Sequence, residues 1–246
     1  MLQRKTQRIR ITPARAKKVE KRYGRQLRRI ASYIDTIVRG FDVEDETVYP
    51  SIVTALRRYA NTLDEWAVST ARSVLTEIET RDRQTWTEYA KDLSTGLRQE
   101  IRNAPTGKVF SELLGEHVRL IKSLPLGAAQ RIHDLATESV TDGTRRDQIV
   151  QMIMDSGQVS KARATSIART TVSTASTKFT QARAQHIGSD GYFWRISGVN
   201  TRPSHYKMRD KFVRWDSPPT LDNLTGHAGC LPNCDCYAEP AIPDDL

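Results

Sequence analysis

The 246-residue chain holds three cysteines, all within one short segment, and a histidine precedes the first of them: His227-x2-Cys230-x3-Cys234-x-Cys236. Soft thiolates converging with imidazole form the donor set of a tetrahedral zinc ion, at roughly 2.0 to 2.3 Å from the metal. Upstream, His205 in Arg202-Pro203-Ser204-His205 is a remote candidate for the same set. The familiar zinc pattern has two separated knuckles, whereas this chain offers one compressed cluster, so the residues leave three chemistries open. One is structural zinc. Another is a disulfide from Cys230 to Cys234 or Cys236, because partners in C-x-C are badly placed to bond to each other. The third is three reduced thiols with no shared role. An odd cysteine count speaks against a secreted disulfide framework.

A second chemical feature is charge. The chain carries +9 overall, but residues 1–40 hold thirteen Lys and Arg against only Glu20 and Asp35, so the remainder is slightly acidic. A basic segment on a nearly neutral body is the footprint of contact with a polyanion, most economically nucleic acid, since each neutralised phosphate releases condensed counterions. The alternative is a solvated helix face. Thr12-Pro13 suits a helix start, and Val19, Tyr23, Leu27, Ile30, Ile34 and Ile37 then recur at three- and four-residue steps. The segment therefore reads as an amphipathic helix whose apolar stripe docks on protein. Arg15, Lys17, Lys18, Lys21, Arg22, Arg25, Arg28 and Arg29 form its cationic face and are the candidate nucleic-acid contacts.

The elements that must position these residues are mostly helical. Ser51 is placed to cap a helix carrying Ile52, Leu56, Tyr59, Leu63, Trp66, Val74 and Ile78. Trp86, Tyr89, Leu93, Leu97 and Ile101 mark another, and Val109 to Ile121 a further one that Leu124-Pro125-Leu126-Gly127 should end. Ile132, Leu135 and Val140 suggest a short helix, followed by a turn at Thr141 to Thr144 and helices over 145–155 and 160–187. The Thr and Ser richness of the last lowers its intrinsic propensity, so packing must stabilise it. From Gly188 the period changes, and Tyr192 to Ile196 and Lys211 to Trp215 read as short strands. The expected fold class is α+β, a helical body with a small β-containing, Cys/His-rich C-terminal unit. The expected division is a basic arm over 1–40, a helical domain over 41–144 and a third domain over 145–246. A hydrophobic content of 38% is enough for a proper core. No apolar run of about twenty residues and no signal-peptide pattern is present, which predicts a chain made in the cytoplasm without a membrane span.

The ordered set Ile167-Ala168-Arg169-Thr170, Trp194, Thr201-Arg202-Pro203-Ser204-His205, the strand after Asp210 and Pro232-Asn233-Cys234-Asp235-Cys236 resembles the phage Mu F-like head morphogenesis family over about residues 145–242. The chain departs from that family's pattern at Thr171, Asn200, Arg209-Asp210-Lys211 and Asp235. In relatives with a cysteine pair in the middle loop, the second cysteine aligns with His205. The resemblance thus implies that His205 joins Cys234 and Cys236 around a structural zinc, with Cys230 or His227 completing four ligands. It also implies a minor head protein in several copies near the portal vertex of a tailed phage, inside the head, made in the host bacterial cytoplasm. Implied partners are the portal protein, the major capsid or scaffolding protein and the double-stranded DNA genome, handled during packaging or ejection, without catalysis.

The rival from another class is a metal-dependent nuclease, with His205 as general base and the cysteines holding a structural zinc. Such an enzyme needs a further carboxylate or histidine set for its catalytic ion. Asp210, Asp216 and Asp222 follow no such ligand spacing.

Overall fold

The computed structural model describes residues 16–92, 95–142, 146–197 and 201–242. Thr12-Pro13, Arg15, Leu93, Gly143-Thr144 and Asn200, and the side chains of Leu97 and Val140, lie outside what is described. The elements in chain order are α1 (Lys17–Arg39), α2 (Tyr49–Thr62), α3 (Asp64–Tyr89), α4 (Thr95–Asn103), α5 (Thr106–Asp142), α6 (Arg146–Met154), α7 (Ser156–His186), β1 (Gly191–Arg195), α8 (Pro203–Tyr206), β2 (Phe212–Arg214), β3 (Thr220–Leu221), β4 (Leu224–Thr225) and β5 (Tyr237–Pro240). The fold is α+β, as the periodicities require. The chain divides into two compact units, with the dividing points inside α3, α5 and α7.

One unit, Lys17–Val74 with Glu112–Arg169, is helical. On α1 the apolar period buries Val19, Tyr23, Leu27, Ile30 and Ile34. Val38 completes that stripe, while Ile37 is half-buried at its edge. The helix packs against α2 and α6, and the Tyr23 ring stacks on His117 at 5.9 Å. Gly24 removes the side chain where α1 meets α7, so that a Cβ there would stand 3.6 Å from that of Ala168. The helix expected from Ser51 through Ile78 is instead two, breaking at Leu63. Ser51 is not its cap: Asp45 caps the preceding 3-10 turn by accepting from the Thr47 amide, and Pro50 occupies the opening of α2.

A second difference concerns Pro125, which does not end a helix but sits inside the 37-residue α5. An interior proline costs about 3 kcal/mol through its lost N–H and its clash with the preceding turn. Burial on both sides, by Ile121 and Leu124 before it and Ala128, Ala129 and Ile132 after it, outweighs that cost. The short helix expected from Ile132 is therefore the end of α5.

The other unit includes Leu75–Ser111 and Thr170–Leu246. Its sheet has the order β2-β1-β5, antiparallel throughout, with Tyr192 opposite Val213 and Trp194 opposite Ala238. Strand alternation sends Tyr192, Trp194, Val213 and Ala238 to one buried face, where they join Trp86, Ile101, Ala184, Trp215, Leu231, Cys234 and Cys236 in a single core. Strand β5 follows directly from the cysteine segment, and β3–β4 is a hairpin whose two turn residues, Asp222 and Asn223, both have positive φ. Sequence periodicity places neither β3 nor β4, since a two-residue strand has no period to read.

Candidate metal centre

The cysteine segment is shaped by its turns. Asn233 (φ 54°) takes the left-handed conformation that asparagine tolerates, and Gly229 (φ 83°) takes it where nothing larger fits. A Cβ on Gly229 would come 2.7 Å from Ser173 Oγ, 2.9 Å from Thr177 Oγ1 and 3.0 Å from the Cys236 carbonyl oxygen. The backbone is thus pressed onto α7 on one side and onto the start of β5 on the other.

What it meets on α7 is a row of hydroxyls. Thr170, Ser173, Thr174 and Thr177 recur at steps of three, one and three residues and so share a helix face. The Asn233 amide donates to Thr170 Oγ1 (3.1 Å), Ser173 Oγ donates to the Cys234 carbonyl (3.4 Å), and Thr177 Oγ1 donates to the Ala228 carbonyl (2.8 Å). The Cys230 thiol lies against the hydroxyls of Thr174 and Thr177, and its burial pushes its pKa up to about 12. The Ser and Thr that weaken α7 as a helix are the groups that hold the cysteine segment in place. Neither composition nor period marks this role in the sequence.

The histidine arrives from the other side. Pro203 opens the one-turn α8, which carries His205 into the core at 2% exposure. Arg202 donates to the Pro232 carbonyl (3.0 Å), tying this loop to the cysteine segment, and Ser204 donates to Asp222 (2.8 Å) at the β3–β4 turn. Trp194 sets its ring edge to face against His205 at 5.7 Å. Each residue of the Arg202-Pro203-Ser204-His205 run therefore has a positional task.

These supports bring three side chains together. His205 Nδ1 lies 3.3 Å from Cys234 Sγ and 3.8 Å from Cys236 Sγ, and all three donor atoms fall within 4.8 Å of one another, each on a buried residue. Tetrahedral ligation with bonds of 2.0 to 2.3 Å places nitrogen and sulfur donors about 3.5 Å apart, so the observed separations suit zinc. The neighbouring Cys236 side chain lowers the Cys234 pKa, while the same contact together with burial raises that of Cys236. The Gly229 amide also donates to Cys234. His205, Cys234 and Cys236 would hold the metal, which in a buried setting supplies charge compensation and a cross-link between the α8 loop and the start of β5.

The other two candidate ligands stand apart from this group. His227 is half-buried between aromatic rings, 5.6 Å from Tyr192 and 5.7 Å from Trp215, with its Nδ1 3.3 Å from the Tyr192 hydroxyl. Its pKa is lowered by burial. Cys230 is committed to α7, as above. All three cysteines are free thiols. Among the described residues no further His, Cys, Asp or Glu joins the cluster. The carboxylates considered for a nuclease are engaged elsewhere: Asp210 with Arg195, Asp216 with Arg214 and Asp222 with Ser204 and Arg202.

A buried charge cluster that sequence reading missed lies elsewhere in this unit. Arg183, 2% exposed on α7, pairs with Glu79 and Asp82 of α3, and Thr180 donates to Asp82 at 2.6 Å. Two carboxylates share one guanidinium. Burial of that excess negative charge raises the Asp82 pKa to about 7. The signal was available only as an arginine beside an apolar stripe.

In the helical unit, the cationic candidates separate into groups. Lys18, Lys21, Arg25 and Arg29 are exposed and follow one another at three- and four-residue steps on α1. Lys17 pairs with Glu20 at 3.0 Å, Arg28 donates to Thr165 at 3.4 Å, and Arg22 is half-buried. Arg15 is outside the described residues. No helix among the described residues is long and apolar enough to cross a membrane.

No curated protein and no solved structure matches the chain. Residues 130–239 match the family model described as Phage Mu protein F like protein, a span that takes in the last turns of α5, the hydroxyl-bearing α7, the α8 loop and all three cysteines. Over that span, which holds His205 and all three cysteines, the chain is similar to phage Mu protein F like protein.

Proposed function

We propose that this protein is a non-enzymatic minor head protein of a tailed bacteriophage. It acts in head morphogenesis near the portal, its C-terminal domain serves as a zinc-stabilised docking module, and the exposed cations of α1 contact the DNA genome during packaging or ejection. The observation that carries the reading is the Mu F-like segment itself, whose motif residues build a buried Cys2His cluster instead of an open cleft. A histidine at 2% exposure, turned toward two sulfurs, is poorly placed to take a proton from water beside a phosphodiester. Portal, capsid and scaffolding surfaces are the partners such a module would dock on, in the virion, after synthesis in the host cytoplasm.

Quantitative mass spectrometry of purified virions and empty procapsids tests the assignment. The expected result is the chain in both, at a few copies per particle. Absence from both, together with DNA cleavage by the purified protein in Mg2+ or Mn2+, would replace it with the nuclease reading.

A further inference from the structure

The exposed stripe on α1 continues past its last cation. Four residues beyond Arg29 stands Tyr33, 52% exposed and on the neighbouring part of the same helix face. Its ring lies 4.6 Å from that of Tyr59 on α2, tilted by 51°. Together with Ile37, Phe41, Thr54 and Arg58, the two tyrosines line an open groove of about 690 Å³, a size typical of small-ligand clefts. Arg58 is the one charged residue among those lining it, and no carboxylate is present there.

An exposed aromatic pair in a groove is ambiguous alone, because apolar grooves also take helices. Its surroundings decide here. Lys18, Lys21, Arg25 and Arg29 lead to it along one side of α1 at steps of about 4.5 to 6 Å, and Arg58 adds a cation in the wall. A row of cations ending on aromatic faces matches a strand whose phosphates follow the charges and whose unstacked base lies on a ring. Duplex DNA keeps its bases stacked and offers the rings nothing.

Resting on the proposed contact with DNA, we infer that the α1–α2 groove is a binding site for single-stranded DNA, with the cations of α1 tracking the backbone and Tyr33, supported by Tyr59, stacking a base. The site would select an unpaired end or tail over the duplex itself.

The test uses the full-length chain and fluorescence anisotropy with a labelled 30-nucleotide oligo(dT) and a 30-base-pair duplex across a salt series. Tyr33→Ala is expected to weaken oligo(dT) binding about 5- to 150-fold, since stacking is worth about 1–3 kcal/mol per base, and to leave duplex binding unchanged. Tyr33→Phe keeps the ring and should keep the affinity. Neutralising Lys21, Arg25 and Arg29 together should weaken both ligands. Unchanged oligo(dT) affinity in Tyr33→Ala, with salt-sensitive binding intact, would overturn the groove while the DNA contact stands. Wild-type protein that binds neither ligand would remove the DNA contact and the groove with it. Tyr33→Ala that retains oligo(dT) binding but loses association with portal protein would assign the groove to a protein partner instead. Cross-linking of wild-type protein with 5-iodouracil oligonucleotides gives an independent readout, expected at Tyr33 or Tyr59 and contradicted by linkage only outside the groove.

Discussion

The helical unit and the cysteine-bearing unit are stabilised by different kinds of information. In the first, burial follows the helix repeat: Val19, Tyr23, Leu27, Ile30, Ile34 and Val38 all face inward, and a neighbour of similar size could replace almost any of them. In the second, the core is also apolar, but its geometry is set by individual polar bonds between α7 and a loop, by the positive-φ residues Gly229 and Asn233 of that loop and by three converging metal-type donors. Such bonds contribute little each when made and cost much when half-made. Sequence change should therefore be graded in the helical unit and abrupt in the other.

The largest expected effect belongs to the donor cluster. Structural zinc sites contribute roughly 10 kcal/mol or more of apparent binding free energy that is also folding energy. Wild-type protein should carry about one zinc per chain by elemental analysis, and Cys236→Ser or chelation should loosen the sheet unit, seen as faster hydrogen exchange in β1 and β5. Metal-free wild-type protein with the same exchange pattern would remove zinc from the account.

Next comes Arg183→Met, which leaves Glu79 and Asp82 buried without their cation. Breaking a buried pair in this way costs about 3–5 kcal/mol, as large as deleting a core side chain such as Leu27 in the helical unit. Denaturant titration should show it, and a loss below 1 kcal/mol would mean that water reaches the cluster.

The same carboxylates give a pH signature. The folded-state pKa of Asp82 is raised to about 7, above an unfolded value near 3.9, so the folded protein binds the proton more tightly. That stabilisation is full below about pH 4 and is lost as pH rises toward and through 7. Asp82→Asn should flatten the fall in stability between about pH 4 and 7. A fall of equal slope in the variant would point to another group.

The smallest effect is that of one hydroxyl. Thr177→Val leaves the Ala228 carbonyl without its donor at nearly unchanged volume, for a loss of about 1–3 kcal/mol, and calorimetry of the two proteins measures it. Ser176→Val is the control on α7, because its hydroxyl bonds only its own helix at Val172.

How much of this was legible follows the same division. The stripe of α1 could be read because a 3.6-residue period repeats over many turns. The helix end at Leu63 and the continuation of α5 through Pro125 could not, because they depend on which side chains are buried around them. At the candidate site the residue types were visible, and the ligand set was read partly: His205, Cys234 and Cys236 converge, whereas His227 and Cys230 are held by aromatic rings and by α7. The deciding contacts span about thirty residues for His205 and about sixty for the hydroxyl row, and no local pattern encodes them.

The interleaving of the two units has a consequence for biogenesis. A chain emerging from the ribosome presents 75–111 long before 170–242, their partners in the same compact unit, and 17–74 must likewise await 112–169. Trp86 and Ile101, buried in the finished protein, remain without their neighbours for many seconds at translation rates of about 5–20 residues per second. The nascent polypeptide thus exposes apolar side chains of the kind that holding chaperones bind, and the donors His205, Cys234 and Cys236 come together only late in maturation.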